Sequence, residues 1–341
     1  MTGDKRADLV LEGGGVKGIA LVGALSVLEE RGYRFNRVAG TSAGAIVGSL
    51  VAAGYPATEL EEIMRSVEYL RFRDGDFLAR LGLLGQAVAL IAEHGVYKGD
   101  YLEAWLGGLL AARGVTTFSD VRYVDTDRPL PPDCEYRFVA VTSDISQHRL
   151  TRLPWDYHHY QATAAEARVV DAVRASMSIP FFYRPVILPG PDAQKCWLVD
   201  GGMLSNFPVD IFDVPAGQQP RWPTIGIKLS ARPTPAKPTT KPIHGTIDMA
   251  KAMLATMTGF YDAMHLEDPA VVDRTIFVDT TGVRATDFDI DPETANWLFD
   301  NGKAAATKFL DGEEGKPGFD FDAYRTAHPH PVPAGAAGAP S

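Results

Sequence analysis

The sequence predicts an α/β domain with a mostly parallel central sheet. Short runs rich in Val, Ile and Phe, typical of buried strands, occur at residues 7–11, 37–39, 137–142, 196–199, 224–229 and 275–278. Between them lie helical patterns, near residues 17–31, 42–53, 57–68, 98–112, 163–176, 243–266 and 292–311. Alternation of strands with helices is typical of a parallel sheet covered by helices.

The composition is that of a globular protein and disfavours two kinds of partner. The chain has 341 residues, of which 45% are hydrophobic and 22% charged, so it can bury a sizeable core. Its 33 Lys and Arg against 43 Asp and Glu give a net charge of −10, which disfavours nucleic acid and electrostatic attraction to an anionic membrane. Cys134 and Cys196 match no metal-binding pattern and form no disulfide framework, so we expect a reducing compartment.

The pattern along the chain predicts one large domain. We expect a lead at residues 1–6, a domain over 7–315 with its motif-bearing core at 7–210, and a C-terminal extension at 316–341. The Pro, Ala and Gly content predicts a disordered tail from about residue 328. The charged lead runs into the first strand without an apolar signal segment, which predicts a cytoplasmic protein.

A glycine-rich turn follows the first strand in the stretch LEGGGVKGIALVGAL, residues 11–25. Gly13, Gly15 and Gly18 match the GxGxxG turn that holds a dinucleotide pyrophosphate at a helix N-terminus. A dinucleotide site also needs an acidic residue about 20 positions later, after the second strand, and here that strand (RVAG) is followed by Thr and Ser. The backbone N–H groups of such a turn suit an oxyanion equally well, which is the interpretation we favour.

The second strand leads into VAGTSAGAIVG, which contains the GxSxG pattern from Gly40 to Gly44. In this pattern the glycines allow a tight strand-to-helix turn that lifts the serine hydroxyl above the sheet. GxSxG alone also occurs in turns that serve only packing. Because a predicted strand precedes Ser42 and a predicted helix follows it, we interpret Ser42 as a nucleophile.

A candidate base lies in WLVDGGMLSNFP, residues 197–208. Asp200 ends an apolar strand, and Gly201 and Gly202 leave its carboxylate uncrowded at the edge where α/β folds gather their functional loops. By itself, an Asp before two glycines is also a common way to start a turn.

Taken together, these motifs resemble the patatin-like phospholipase family. GGGVKG, GTSAG and DGG occur in this order, with RASMSIPFFYRPV at 174–186 ahead of the third. The resemblance covers roughly residues 7–210, and more weakly continues to about residue 280. It implies a three-layer α/β/α patatin-like fold with a mostly parallel central sheet. It also implies a Ser-Asp dyad that hydrolyses acyl esters of lipids without a catalytic histidine, a metal or a cofactor.

The resemblance implies roles for five residues: Ser42 is the nucleophile, Asp200 is the base, and the backbone of Gly13, Gly14 and Gly15 forms the oxyanion hole. Lys17 falls where the family has Arg or Lys. Glu12 departs from the Asp or small residue that many members carry before the glycines.

The function expected from these residues is a lipid acyl hydrolase of the phospholipase A or lysophospholipase type, acting through an acyl-enzyme on a phospholipid or lysophospholipid. Two alternatives stay open: an acyltransferase that uses the same acyl-enzyme, and a regulatory lipid-binding protein with little turnover. A Ser-Asp-His arrangement completed by His244 or His265 is disfavoured, because both lie in a helical stretch after a Pro-rich loop.

The stretch DFDIDPET, residues 287–294, imitates a calcium-binding loop. It has Pro292 where such a loop needs Gly and Leu298 where it needs Glu. Asp291 before Pro292 is better interpreted as a helix N-cap followed by a first-turn proline.

Two apolar segments are candidates for lipid contact. FLARLGLLGQAVALIA, residues 77–92, is about three quarters of the length that spans a bilayer, so we expect no transmembrane helix there. Because it is apolar on nearly every face, it is either a buried helix or a lid that makes peripheral membrane contact. The second segment has Met249, Met253 and Met257 on one helical face, which indicates core packing or an acyl channel.

Overall fold

The structure is a computed structural model that describes residues 5–74, 94–215, 217–231 and 268–329, together with the isolated residues 242, 243, 245, 249, 252, 253 and 256. The apolar segment 77–92, His244, His265, Met257 and the tail beyond residue 329 lie outside the described residues.

The described residues form twelve strands, most of them in one central sheet. The strands are β1 (Lys5–Leu11), β2 (Tyr33–Thr41), β3 (Gly95–Tyr97), β4 (Phe138–Asp144), β5 (Arg149–Leu153), β6 (Phe181–Tyr183), β7 (Val186–Pro189), β8 (Lys195–Asp200), β9 (Thr224–Lys228), β10 (Thr275–Phe277), β11 (Gly312–Glu313) and β12 (Lys316–Pro317). The central sheet has the order β10-β9-β1-β2-β4-β8-β7, and β5 also pairs with β4. β3 with β6, and β11 with β12, form two small separate sheets.

The central sheet is parallel from β10 to β4 and antiparallel beyond it. β10, β9, β1, β2 and β4 pair in parallel, whereas β5 and β8 run antiparallel to β4, and β7 runs antiparallel to β8. The six strands predicted from apolar runs correspond to β1, β2, β4, β8, β9 and β10. Strand β5 was not predicted, because RLTRL contains two arginines and a threonine and so forms no continuous apolar run.

Helices flank the sheet, as predicted. They are α1 (Gly18–Glu30), α2 (Ala43–Ala52), α3 (Ala57–Ser66), α4 (Asp100–Ala112), α5 (Val169–Ser176), α6 (Pro269–Asp273), α7 (Pro292–Asp311) and α8 (Phe321–Ala327). The predicted N-cap of α7 is confirmed, because the side chain of Asp291 accepts a hydrogen bond from Thr294 N at 2.7 Å. The helix predicted from residue 163 begins only at Val169, since Arg168 forms a β-bridge with Thr117.

The packing of helices and sheet matches the predicted three-layer α/β/α class. Helices α2 and α5 pack against β4, while α1 packs against α3 and α7. The strands β1 and β4 are buried along almost their whole length, so they form the middle of the core. Within the part of the chain that the structure describes, no helix combines the length and apolar character needed to cross a membrane.

Candidate active site

The pairing of β4 brings Ser42 and Asp200 together. Along β4, Val141 pairs with Thr41 of β2, and the next residue, Thr142, pairs with Asp200 of β8. Strand β5 pairs with β4 across both regions, so it occupies the opposite edge, and β2 and β8 must share one edge. Because β2 is parallel and β8 antiparallel to β4, their C-terminal ends face each other. Ser42, directly after β2, therefore lies beside the end of β8.

Ser42 occupies a sharp turn between β2 and α2. Its φ of 53° and ψ of −122° lie in a region that L-residues rarely adopt, as in the strained elbow of a nucleophilic serine. A Cβ at Gly40 would overlap the carbonyl oxygen of Gly44, and a Cβ at Gly44 would overlap that of Leu11. Both glycines of the GxSxG pattern are therefore required by the close approach of the backbone.

Ser176, the last residue of α5, and Met177, which follows it, contact this turn. Ser42 N donates a hydrogen bond to Ser176 Oγ at 2.9 Å, and Ser176 Oγ donates in turn to Val141 O at 2.6 Å. The hydroxyl of Ser42 lies 3.4 Å from Met177 Sδ. Ser176 and Met177 were not predicted as site residues, although both lie in the stretch RASMSIPFFYRPV that carries part of the family resemblance.

One carboxylate oxygen of Asp200 accepts a hydrogen bond from the described residues, and the other does not. Its Oδ1 accepts a hydrogen bond from Gly202 N at 2.7 Å, whereas its buried Oδ2 accepts none from the residues that the structure describes. Burial raises the pKa of Asp200 to about 6, and the hydrogen bond from Gly202 and the neighbouring Ser42 side chain oppose this only in part. The carboxylate is therefore a stronger base than one in water.

The glycine-rich turn lies against the serine. A Cβ at Gly13 would lie 3.0 Å from Ser42 Cβ and 3.1 Å from Thr41 O. Gly13 N already donates to Asn206 O at 3.2 Å, whereas within the described ranges no acceptor faces the N–H groups of Gly14 and Gly15. Of the three glycines predicted to form the oxyanion hole, Gly14 and Gly15 thus have available donors, and Gly13 does not.

Asn206 ties this turn to the loop that follows β8. Besides accepting from Gly13 N, it donates from Nδ2 to Gly13 O at 3.0 Å. The candidate oxyanion donors and the candidate base are thereby held in one hydrogen-bonded unit. Asn206 was not predicted as a site residue, although it lies six positions after Asp200 in the motif-bearing stretch.

Glu12, the departure noted in the sequence, is buried in an ion pair. Its carboxylate binds Lys228 Nζ and accepts a hydrogen bond from Leu229 N, so it joins the start of the glycine-rich turn to the end of β9. Both side chains are buried, so each charge depends on the other for compensation. Burial lowers the pKa of nearby Lys17, with Glu12 and Asp287 opposing the shift.

An apolar recess lies beside Ser42. It is lined by Gly15, Ala43, Ile46, Met64, Val67, Tyr69, Phe72, Trp105, Met177, Ile179, Tyr183 and Phe288. Its volume of about 20 Å³ leaves room for about one water molecule, so a longer ligand needs side chains to move. The thioether side chains of Met64 and Met177 are the most adaptable of this wall.

Two of the histidines that the structure describes take part in other contacts. His158 Nδ1 interacts with Trp155 O, and His328 Nε2 lies 3.0 Å from an oxygen of Asp273. In the described ranges, no group of three or more His, Cys, Asp or Glu side chains could hold a metal ion. Asp287, from the imitation of a calcium loop, instead accepts hydrogen bonds from Arg284.

Comparisons with known proteins identify the family of this chain. The family model of the patatin-like phospholipases matches residues 9–213. The uncharacterized protein YqhO of Bacillus subtilis is 35% identical over 89% of this chain and 97% of its own length. The probable lipid hydrolase 463L of Invertebrate iridescent virus 6 is 23% identical over 60% of this chain and 62% of its own length.

A further relative and a solved structure are also similar to parts of this chain. Lysophospholipase NTE1 of Scheffersomyces stipitis is 27% identical over 59% of this chain, which spans only 10% of that protein. Among solved structures, VipD from Legionella pneumophila aligns with 89% of this chain and 66% of its own, with a TM-score of 0.47 and 17% identity. Since the family model covers more than half of the chain, the chain belongs to the patatin-like phospholipase family.

Proposed function

We propose that this protein is a lipid acyl hydrolase of the phospholipase A or lysophospholipase type, which cleaves acyl esters through a Ser42–Asp200 dyad and an acyl-enzyme. The observation that supports it most is the meeting of β2 and β8 on one edge of β4. At that junction a serine on a strained turn lies beside a buried carboxylate with one oxygen free of hydrogen bonds from the described residues. Lipid hydrolases among the relatives support the same substrate class.

In the acylation step, Ser42 Oγ attacks the acyl carbonyl carbon while its proton passes to Asp200 Oδ2. The electron pair of the carbonyl moves to its oxygen, and the resulting oxyanion accepts hydrogen bonds from the N–H groups of Gly14 and Gly15. When the ester C–O bond breaks, the proton on Asp200 passes to the leaving alkoxide. The lysolipid or alcohol then departs, and the acyl group stays on Ser42.

Deacylation repeats these transfers with water as the nucleophile. Asp200 takes a proton from the attacking water, the oxyanion forms in the same place, and Ser42 Oγ leaves with the proton that Asp200 returns. The raised pKa of Asp200 favours both proton transfers, because a base with a pKa nearer to neutral is stronger than an exposed aspartate.

The apolar recess beside Ser42 supports a hydrocarbon acyl chain as the group transferred. Its walls are almost wholly aliphatic, aromatic or thioether, and the chain would enter by displacing Met64 and Met177. A cytoplasmic location, and membrane contact through residues 77–92, stay predictions from the sequence.

The test compares the purified protein with Ser42→Ala and Asp200→Asn. Fatty acid released from lysophosphatidylcholine and phosphatidylcholine micelles is measured by mass spectrometry, and labelling by a fluorophosphonate probe is measured on the folded protein. We expect both variants to lose activity by roughly 10³-fold or more, since residues that act as a unit lose nearly everything together. Ser26→Ala, which removes a hydroxyl that donates to Gly23 O in α1, is the matched control and should keep full activity.

Two outcomes would contradict the proposal. A wild-type protein that is folded but neither labelled nor active would favour a regulatory lipid-binding protein. A hundredfold loss in His244→Ala or His265→Ala, with Asp200→Asn still active, would replace the dyad by an arrangement that uses histidine.

A further inference from the structure

A second cavity lies at the end of the sheet opposite to Ser42. Its volume is about 430 Å³, within the range of small-molecule sites. Among its lining residues, Thr224 is the first residue of β9, and Arg274 directly precedes β10. Ser42 and the glycine-rich turn instead follow the C-terminal ends of β2 and β1. The cavity is therefore separate from the candidate active site.

Much of the lining of this cavity consists of planar aromatic side chains and prolines. The aromatic lining residues are Tyr123, Trp155, Phe212, Trp222, Phe321 and Tyr324, and five prolines lie among them. The rings of Trp155 and Phe212 meet edge to face, with centroids 5.8 Å apart. Aromatic rings and prolines offer planar faces for a planar ligand ring.

Among the residues that line the cavity, three arginines are paired with aspartates and a fourth, Arg128, is not, while Arg221 also binds Asp127 just outside the lining. Buried or half-buried ion pairs join Arg37 to Asp8, Arg221 to Asp125, and Arg274 to Asp213. Arg128, also in the lining, donates to Gln219 O at 3.3 Å and has no carboxylate partner among the residues that the structure describes.

Two donors in the same wall lack acceptors. Trp155 Nε1 and Arg274 Nε are buried and bond to no acceptor in the described part of the chain. Buried N–H groups normally have a partner, so a wall with two unsatisfied donors suits a ligand rich in acceptors. The carboxylates of the three ion pairs supply acceptors for ligand N–H or O–H groups.

We propose that this cavity binds an organic phosphate whose body is a planar, amino-bearing ring, of about the size of a nucleoside monophosphate. The guanidinium of Arg128 binds the phosphate, because it is the cation that no carboxylate neutralises. The ring lies against the aromatic and proline wall, and its amino group donates to a carboxylate such as Asp213, which is partly exposed. The site binds this ligand without converting it, and it lies apart from the residues proposed to hydrolyse esters.

The test uses AMP as the probe on the full chain. Trp155 and Trp222 both line the cavity, so AMP stacked there should quench tryptophan fluorescence saturably, and calorimetry should give the same dissociation constant. Arg128→Gln should weaken AMP binding by roughly tenfold or more, because a charge-assisted hydrogen bond to phosphate is lost. Lys316→Gln, which removes an exposed cation from β12 outside the cavity, should leave the binding unchanged.

Further comparisons make the outcome decisive. Gln218→Trp, a large side chain at an exposed position of the wall, should weaken AMP binding even if Arg128→Gln misfolds. Adenosine and inorganic phosphate should each bind more weakly than AMP. No AMP binding, equal losses in Arg128→Gln and Lys316→Gln, or inorganic phosphate binding as tightly as AMP would each overturn the proposal. Arg128→Gln should keep full ester hydrolysis, so this proposal and the proposed hydrolysis can fail independently.

Discussion

Burial gives the Asp200 side chain its basicity. Only Gly202 N donates to it from the described residues, and the surrounding protein excludes water. An ionised carboxylate in such a place is poorly stabilised, so its pKa rises to about 6. The same environment that makes Asp200 a better base thus makes the charged native state less stable, and these two consequences can be measured separately.

The first consequence concerns the rate. Asp200 must be ionised to accept a proton from Ser42, so kcat/KM on a short soluble ester should rise with pH and level off above an apparent pKa of about 6. The measurement is a pH–rate profile with buffers of constant ionic strength. A rate that stays flat down to about pH 4.5 would mean that a group other than Asp200 is the base.

The second consequence concerns stability. Between the unfolded pKa of 3.8 and the native pKa of about 6, the native state binds more protons than the unfolded chain, so the free energy of unfolding falls as pH rises through this window. Asp200→Asn removes the effect, and we expect it to be more stable than wild type at about pH 8, by on the order of 2–3 kcal/mol. Below about pH 4 the gain should vanish. Denaturant unfolding at both pH values tests this, and an equal gain at both would contradict it.

At the scale of elements, the glycine-rich turn before α1 has a defined conformation because other segments hold it. Gly15 has a φ of +57°, and a Cβ there would overlap the carbonyl oxygen of Ala285. Gly14 has an extended φ of −172°, and a Cβ there would meet only the flexible end of Leu229. Glycine is therefore required at Gly15 both by its positive φ and by the backbone of Ala285, whereas a side chain at Gly14 would require only Leu229 to move.

Asn206 offers a test of how this turn is positioned. Asn206→Ala removes the hydrogen bond from Nδ2 to Gly13 O and leaves only the backbone bond from Gly13 N to hold the turn to residue 206. We expect kcat to fall by roughly 10- to 100-fold with KM nearly unchanged, because the oxyanion donors would be misplaced in the transition state. The matched control is Asn301→Ala, which removes a similar side-chain hydrogen bond to Asp279 O on an exposed surface. Equal effects of the two variants would contradict a positioning role.

At the scale of the whole molecule, helix α7 is part of the core although it lies beyond residues 9–213, which the family model matches. Helices α1 and α7 pack with their backbones in close contact. A Cβ at Gly23 would overlap Phe299 O, and a Cβ at Gly302 would overlap Ala20 O. This reciprocal contact supports a domain that extends well past residue 213.

Substitution at this contact should therefore destabilise the entire fold. Gly302→Val forces the two helices apart, and we expect a loss of about 3 kcal/mol or more in the free energy of unfolding. Gly108→Ala, in the exposed middle of α4 with no atom near its Cβ position, should instead stabilise by about 0.5–1 kcal/mol. Thermal and denaturant unfolding compare the two, and a neutral Gly302→Val would mean that the helices can separate freely.

The sequence by itself determined the local features of this protein. Apolar runs identified β1, β2 and β4, and Asp291 before Pro292 identified the start of α7, because burial of a strand and capping of a helix depend on adjacent residues. The order of strand, Ser42 and helix could also be predicted, since the two glycines of the pattern lie only two positions from the serine.

Only the tertiary structure decided which of these features meet. Strand β8 runs antiparallel to β4 and pairs with the same edge of β4 as β2, starting where β2 ends. This arrangement depends on the pairing of strands far apart in the chain, which no local pattern encodes. The bond between Asn206 and Gly13, the ion pair of Glu12 with Lys228, and the buried Oδ2 of Asp200 arise from the same long-range packing. Sequence periodicity reports what each segment buries, whereas the partner of a buried polar group is set by the segments that fold against it.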